Sequence, residues 1–257
     1  MKRLTASLAV AAAITLPALP ASAQEAGLDF RGMNVEERAA FGEAVRAYLL
    51  ENPEVIYDAI RILEQRRNAA AASADRDLVI AHSGALFDDG HSWVGGNPDG
   101  DVTIVEFSDY RCGYCKRAHP HVQAVLEADP NVRLIVKEFP ILGPDSVAAA
   151  RMAMAALELD PEKYEDLNHE LMEFQGNLTE AAAYRIAADA GYDLTELKER
   201  AASEAVTEKI GANHELADAL GIQGTPSFII GGEIVRGYVE ADAMLAAVDR
   251  ARASAAN

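Results

Sequence analysis

The 257-residue chain carries a formal net charge of −18, is half hydrophobic and holds two cysteines. That acidic balance excludes a nucleic-acid partner and reads as a solvated surface, and two cysteines cannot staple a chain of this length as a disulfide scaffold. The apolar half is enough for one good core plus an appendage.

In chain order, residues 1–23 read as a secretory signal peptide: Lys2 and Arg3 open it, an apolar run extends from Leu8 to Leu16, and Ala21-Ser22-Ala23 offers a cleavage site after Ala23. The run is far short of the roughly 20 residues that span a bilayer, and Pro17 and Pro20 interrupt it. Export would bring the chain to an oxidising compartment, most simply a periplasm, where cysteines can be oxidised.

Residues 24–85 are expected to form an N-terminal helical extension. Asn34 and Glu37 have the spacing of a capping box, and Phe41, Val45, Tyr48 and Leu49 share a face of the helix they open. Asn52 and Pro53 read as the cap and first position of a second helix, with Val55, Ile56, Ala59, Ile60 and Leu63 on one stripe. Such a stripe needs a cover: the chain's own core, or the same helix of another subunit, which would make a homo-oligomer through residues 28–80.

The stretch "GALFDDGHSWVGGNPDGD" is dense in turn formers and reads as loop or hairpin at the entry to a second domain, residues 90–253. There "VTIVEF" is a buried strand, "KRAHPHVQAVLEADP" a helix kinked at Pro120, and "VRLIVKEF" a second buried strand. This is a β-α-β unit with Cys112 at the strand-to-helix turn. Residues 145–220 lack strand patterns and read as an inserted helical layer. The strands "SFII" and "EIVRGYV", joined at Gly231-Gly232, follow, and then a helix through Met244, Leu245 and Val248.

Both cysteines lie in "DYRCGYCKRAH", three positions apart. The pair could be half a zinc site, a structural clip or a redox dithiol. A helix start supplies aligned N–H groups and about half a positive charge, which favour a thiolate at Cys112. Cys115, one turn further in, is placed to resolve a mixed disulfide. Arg111 adds positive charge beside Cys112. Zinc would need Cys112, Cys115, His119 and His121 to converge, yet His119 and His121 on a continuous helix face apart, an objection that a bend at Pro120 weakens. No metal and no cofactor is assigned; copper(I) would suit the sulfurs better than zinc.

The segments "VTIVEFSDYRCGYCKRAHP", "VRLIVKEFPILGPDS" and "GIQGTPSFIIGGEIVRGY" together resemble the DsbA family of thiol-disulfide oxidoreductases. The N-terminal helices are similar to the copper-sensitivity-suppressor type, in which such an extension is an oligomerisation stalk. The fold this implies is α/β: a thioredoxin-like fold with an inserted helical domain and an N-terminal helical extension. The resemblance further implies Cys112 and Cys115 as catalytic residues. It also implies a cis Thr225-Pro226 bond against them, with Gly113, Tyr114, Thr225 and Pro226 contacting substrate. Glu106 and Lys137 become candidates for proton handling. Partners would be proteins bearing cysteines or disulfides and a membrane redox protein that resets the dithiol. The CGYC sequence and the threonine before the proline favour a disulfide isomerase or reductase, whereas the DsbA-like insertion favours a monomeric dithiol oxidase. A copper(I)-binding module using the same cysteines is the alternative from another class.

Overall fold

The structure is a computed structural model that describes residues 32–255. The expected signal peptide, residues 1–23, lies outside the described residues. The chain folds as two units, one ending at Arg61 and one beginning at Ile62.

In the first unit α1 (Val35–Glu51) starts as its sequence dictates. The Asn34 side chain accepts from the backbone N–H groups of Glu36 and Glu37, and Glu37 accepts from Asn34 N–H, each at 2.9 Å. Asn52 departs from expectation. Its amide donates to Tyr48 O at 2.9 Å and so closes α1, while α2 (Glu54–Ala81) begins one residue after Pro53. The carbonyls left open at the end of α1 compete for the same side chain, and here they win it. None of the α1 residues is buried, and Tyr48, Ile56 and Ile60 each leave about half their surface exposed (56%, 49% and 51%). Among the described residues, these three side chains are left largely without cover.

The second unit is built on a five-stranded sheet ordered β1-β3-β2-β4-β5, from β1 (Trp93–Gly96), β2 (Val102–Ser108), β3 (Val132–Glu138), β4 (Ser227–Ile230) and β5 (Glu233–Arg236). Only β2 and β3 run parallel. They are the two β-branched runs, joined through α4 (Gly113–Ala128), as a β-α-β crossover requires. Alternation along the strands splits the core. Ile104, Leu134, Val136, Phe228 and Ile230 face α4 and α10 (Ala241–Ala255). Val105, Phe107, Ile135 and Ile229 face the other way, against Leu216, Leu220, Val79 near the end of α2, and Leu86 of the short α3 (Ser83–Phe87). Between β3 and β4 stand α5 (Pro144–Leu159), a 3-10 turn, α6 (Tyr164–Glu173), α7 (Glu180–Asp189), α8 (Leu194–Ala201) and α9 (Glu204–Ala219). The alanine-rich α5 buries six small side chains, among them Ala149, Ala153 and Ala156, so its neighbours approach closely.

One strand was not expected. Trp93–Gly96 lies in the stretch read as loop or hairpin, yet pairs antiparallel with the distant β3 as the sheet edge. Four residues, two of them glycine, carry no period. The glycines are needed, because a Cβ on Gly95 would strike the Trp93 ring and one on Gly96, at φ +64°, would stand 2.6 Å from Val132 O. The Gly231-Gly232 hairpin is as expected, with both residues at positive φ (54° and 91°).

The sheet also buries a lysine. Lys137 is fully buried on the Phe107 face, where its ammonium donates to Ala85 O at 2.7 Å and pairs with Asp89. Burial works against the Asp89 carboxylate, but hydrogen bonds from Lys137, His91 and Ser92 outweigh it and hold the group at about 2. Asp89→Asn strands the buried cation and should destabilise by about 3–5 kcal/mol in denaturant melts. In the wild type this contribution is present above the ordinary aspartate range and lost as pH falls through about 2. A variant as stable as wild type would mean that Lys137 is held by Ala85 alone.

Candidate redox site

The site begins at the end of β2, where buried Asp109 ties the following turn. Its Oδ1 accepts from Arg111 N–H at 2.8 Å and Ser146 Oγ at 2.9 Å, and its Oδ2 accepts from Ile141 and Leu142 N–H at 2.9 and 3.1 Å. Cys112 N–H donates to Asp109 O at 2.9 Å. The chain is thereby turned so that Cys112 is the N-cap of α4, with an extended backbone, and Cys115 lies in the first helical turn. Both are free thiols; Cys112 keeps 7% of its surface and Cys115 none.

This placement drives the two thiols apart. Cys112 falls to about 5: the Cys115 thiol donates to it, burial opposes, and the Thr225 side chain and the N–H groups of Cys115 and Tyr114 add their share. Cys115 is pushed far up by that same hydrogen bond, by burial and by the Glu106 charge. One sulfur is a ready thiolate and its neighbour a held proton. Thr225-Pro226 is cis, and the Cys112 sulfur lies 3.2 Å from Thr225 O. Gly113 and Tyr114 open the helix beside it. Tyr114 is largely exposed, 6.4 Å from the Tyr238 ring, with the Arg117 guanidinium 5.1 Å from Tyr114 and 5.9 Å from Tyr238.

Of the two proton-handling candidates, the structure brings only one to the sulfurs. Glu106 is buried on the sheet face that packs under α4, and burial together with the Cys112 charge raises its carboxyl to about 7. Lys137 is turned away, since in register it pairs with Phe107 and its side chain occupies the opposite face with Asp89. The charge that shares the Glu106 face is the next residue, Glu138, overlooked because adjacent strand residues alternate sides. Arg111 donates to Leu142 O and Asn177 Oδ1, both at 3.1 Å, which anchors it to the loop after β3 and the inserted layer. His119 and His121 go separate ways. His119 lies 2.9 Å from His169 Nδ1 on α6, and His121 2.8 Å from the Tyr238 hydroxyl.

A family model described as Thioredoxin matches residues 88–250, more than half of the chain. The chain belongs to the thioredoxin family. A second model, for the N-terminal domain of the copper resistance protein ScsC, matches residues 37–70, and with it the likeness to the copper-sensitivity-suppressor type extends to the N-terminal helices. Among solved structures, the thioredoxin-like oxidoreductase of Silicibacter pomeroyi is 45% identical over 66% of this chain and 97% of its own, with a TM-score of 0.64. The thiol-disulfide exchange protein α-DsbA2 of Wolbachia pipientis is 27% identical over 70% of this chain and 97% of its own, with a TM-score of 0.66. A curated relative, the Na(+)/H(+) antiporter NhaA 3 of Salinispora tropica, is 30% identical over 77% of this chain, which spans only 30% of that protein's length. The thioredoxin-family part therefore holds β1, β2 and α4, the cysteines, the cis proline and the closing hairpin. Among the described residues no helix is long and apolar enough to cross a membrane.

Proposed function

We propose that this chain is a periplasmic thiol-disulfide oxidoreductase that exchanges disulfides in secreted proteins, with Cys112 as nucleophile and Cys115 as resolving cysteine. The observation that carries the reading is the placement of the two thiols: Cys112 is the N-cap of α4, 3.2 Å from Thr225 O, and Cys115 is enclosed in the first turn behind it. The Cys112 thiolate attacks one sulfur of a substrate disulfide, forming a mixed disulfide and expelling the other sulfur as thiolate. Cys115 then gives its proton to the Glu106 carboxylate and attacks Cys112 Sγ. That releases the substrate's remaining thiolate and leaves a Cys112–Cys115 disulfide, two electrons having passed to the substrate. A membrane redox partner would return those electrons. Thr225 and Pro226 offer backbone to an extended substrate segment, with Gly113 and Tyr114 along its edge.

The finer reading is isomerase. The CGYC sequence and the threonine before Pro226 support it, since they resemble those of disulfide isomerases, whose dithiols are less oxidising than that of the strong oxidase. Such a dithiol can form a mixed disulfide and also lose it unresolved, when the freed substrate thiolate attacks elsewhere in the same molecule. Residues 28–80 would join subunits and set several such sites around one substrate.

Iodoacetamide labelling of the reduced protein against pH tests the assignment: Cys112 should label first, with a midpoint near pH 5, and Cys115 should stay unlabelled in the fold. First labelling at Cys115, or a midpoint near 8.5 as for a free thiol, would overturn it. A potential at the oxidising limit, with no reactivation of a scrambled protein, would make the chain a dithiol oxidase.

A further inference from the structure

Glu138 ends β3 with its carboxyl in the interior and, among the described residues, in no salt bridge. Its Oε1 accepts from the Tyr110 hydroxyl at 2.6 Å and the Tyr164 hydroxyl at 2.9 Å. The two hydroxyls are 3.2 Å apart, and Asn168 Nδ2 donates to Tyr110 at 3.1 Å. All four side chains are buried. A buried polar cluster costs folding free energy unless each member is satisfied, and this one is drawn from the turn before Cys112, from β3 and from α6. The groups around it complete the account. Trp93 of β1 lies 5.5 Å from the Tyr164 ring, and Asn213 of α9 donates to Glu138 O at 3.1 Å. Asp109, with its four hydrogen bonds, and Glu106 are the charges that act on Glu138. Ser108 stands opposite Glu138 in the strand register, and its buried hydroxyl favours the charge of Glu106, two residues before it.

The geometry points to Glu138 as a positioning residue of the dithiol: through Tyr110 it holds the turn that presents Cys112, and through Glu106 it sets the pH range in which Cys115 surrenders its proton. This rests on the thiol-exchange reading and adds a second acid to it. Burial raises Glu138 to about 8 against the pull of the two tyrosines, and Asp109 and Glu106 repel its charge. At neutral pH Glu138 is thus mainly protonated, and Glu106 alone cycles between acid and base. When Glu138 ionises, its charge holds the proton on Glu106 and weakens Glu106 as acceptor for Cys115.

Carbon-13 NMR of glutamate carboxyls in the reduced full-length mature protein, from pH 5 to 9, tests this with Glu106→Gln and Glu138→Gln. Two carboxyls should titrate well above the ordinary glutamate range, and each variant should remove one. In Glu138→Gln the Glu106 step should move down by about half a unit, and release of a Cys112 mixed disulfide with glutathione should reach its plateau at correspondingly lower pH. Should Glu138→Gln fail to fold, Tyr164→Phe removes a hydrogen bond that favours the Glu138 charge and is expected to move the Glu106 step the same way. A Glu138 carboxyl titrating near its ordinary 4.3, or a Glu106 step and release profile unchanged by both variants, overturns the proposal. Wild-type protein that fails to exchange with glutathione while both carboxyls titrate high would sink the enzyme reading and leave the carboxyl coupling standing.

Discussion

Cys112→Ser is expected to lose thiol exchange by a factor of at least about 10³, the scale on which removing a covalent nucleophile acts, while Cys115→Ser should keep the first attack and accumulate mixed disulfides with substrate proteins. The asymmetry follows from burial. Cys112 is the sulfur at the helix start beside Thr225, whereas Cys115 is fully enclosed and can meet only a sulfur already attached to Cys112. A further consequence separates this pair from two independent thiols. The Cys115 thiol is the largest contributor to the lowered pKa of Cys112, so Cys115→Ala should raise the Cys112 midpoint above about 5, while Cys115→Ser, which keeps a donor, should raise it less. Gel analysis after acid quenching reads the trapped species, and thiolate absorbance against pH reads the midpoint. Equal trapping by Cys112→Ser and Cys115→Ser, or an unmoved midpoint in Cys115→Ala, would break the division of roles.

The sequence made the strands β2, β3 and β4 legible almost to the residue, because each is a mainly β-branched or apolar run buried on both faces. The cap at Asn34 was legible for another reason: its side chain binds N–H groups of the helix it opens, a local interaction that needs no tertiary context. What failed was whatever depended on register or competition. Lys137 and Glu138 are neighbours in sequence but lie on opposite faces of the sheet, and only pairing with β2 decides which one meets Glu106. Asn52 could serve either of two helices, and its choice rests on which backbone groups lie within reach. The edge strand β1 is held by its hydrogen bonds to β3 rather than by any period of its own. Tyr110 sits openly in the cysteine motif, yet nothing in the sequence ties it to Tyr164, 54 residues away.

The largest effect after the cysteines should come from the first unit. Its apolar stripe includes Val45, Tyr48, Val55, Ile56 and Ile60, each more than a third exposed, and exposed contiguous apolar surface marks an interaction site. A second copy of the same helices is the cover we expect, since a self-complementary stripe closes by symmetry and needs no other partner. Light scattering on the mature chain should therefore give a dimer or trimer, and the paired change Tyr48→Lys with Ile56→Lys should give a folded monomer. The place to truncate is set by the fold: the unit that holds the cysteines begins at Ile62, and Val79 of α2 is part of its core, so removal of residues 24–61 should leave that unit intact where a deletion to residue 85 would open it. Two or more dithiols held around one substrate act at an effective concentration that separate monomers lack, which raises avidity by about 10²–10⁴ where the geometry permits. Reactivation of a scrambled multi-disulfide protein should accordingly fall by about tenfold or more in the monomer. Exchange with glutathione should stay within about twofold, because it needs only one Cys112. A wild-type chain that scatters as a monomer at every concentration would remove the stalk and shift the function toward a single-site oxidase; an oligomer whose monomeric variant reactivates substrate as well as wild type would keep the assembly and deny it a part in isomerisation.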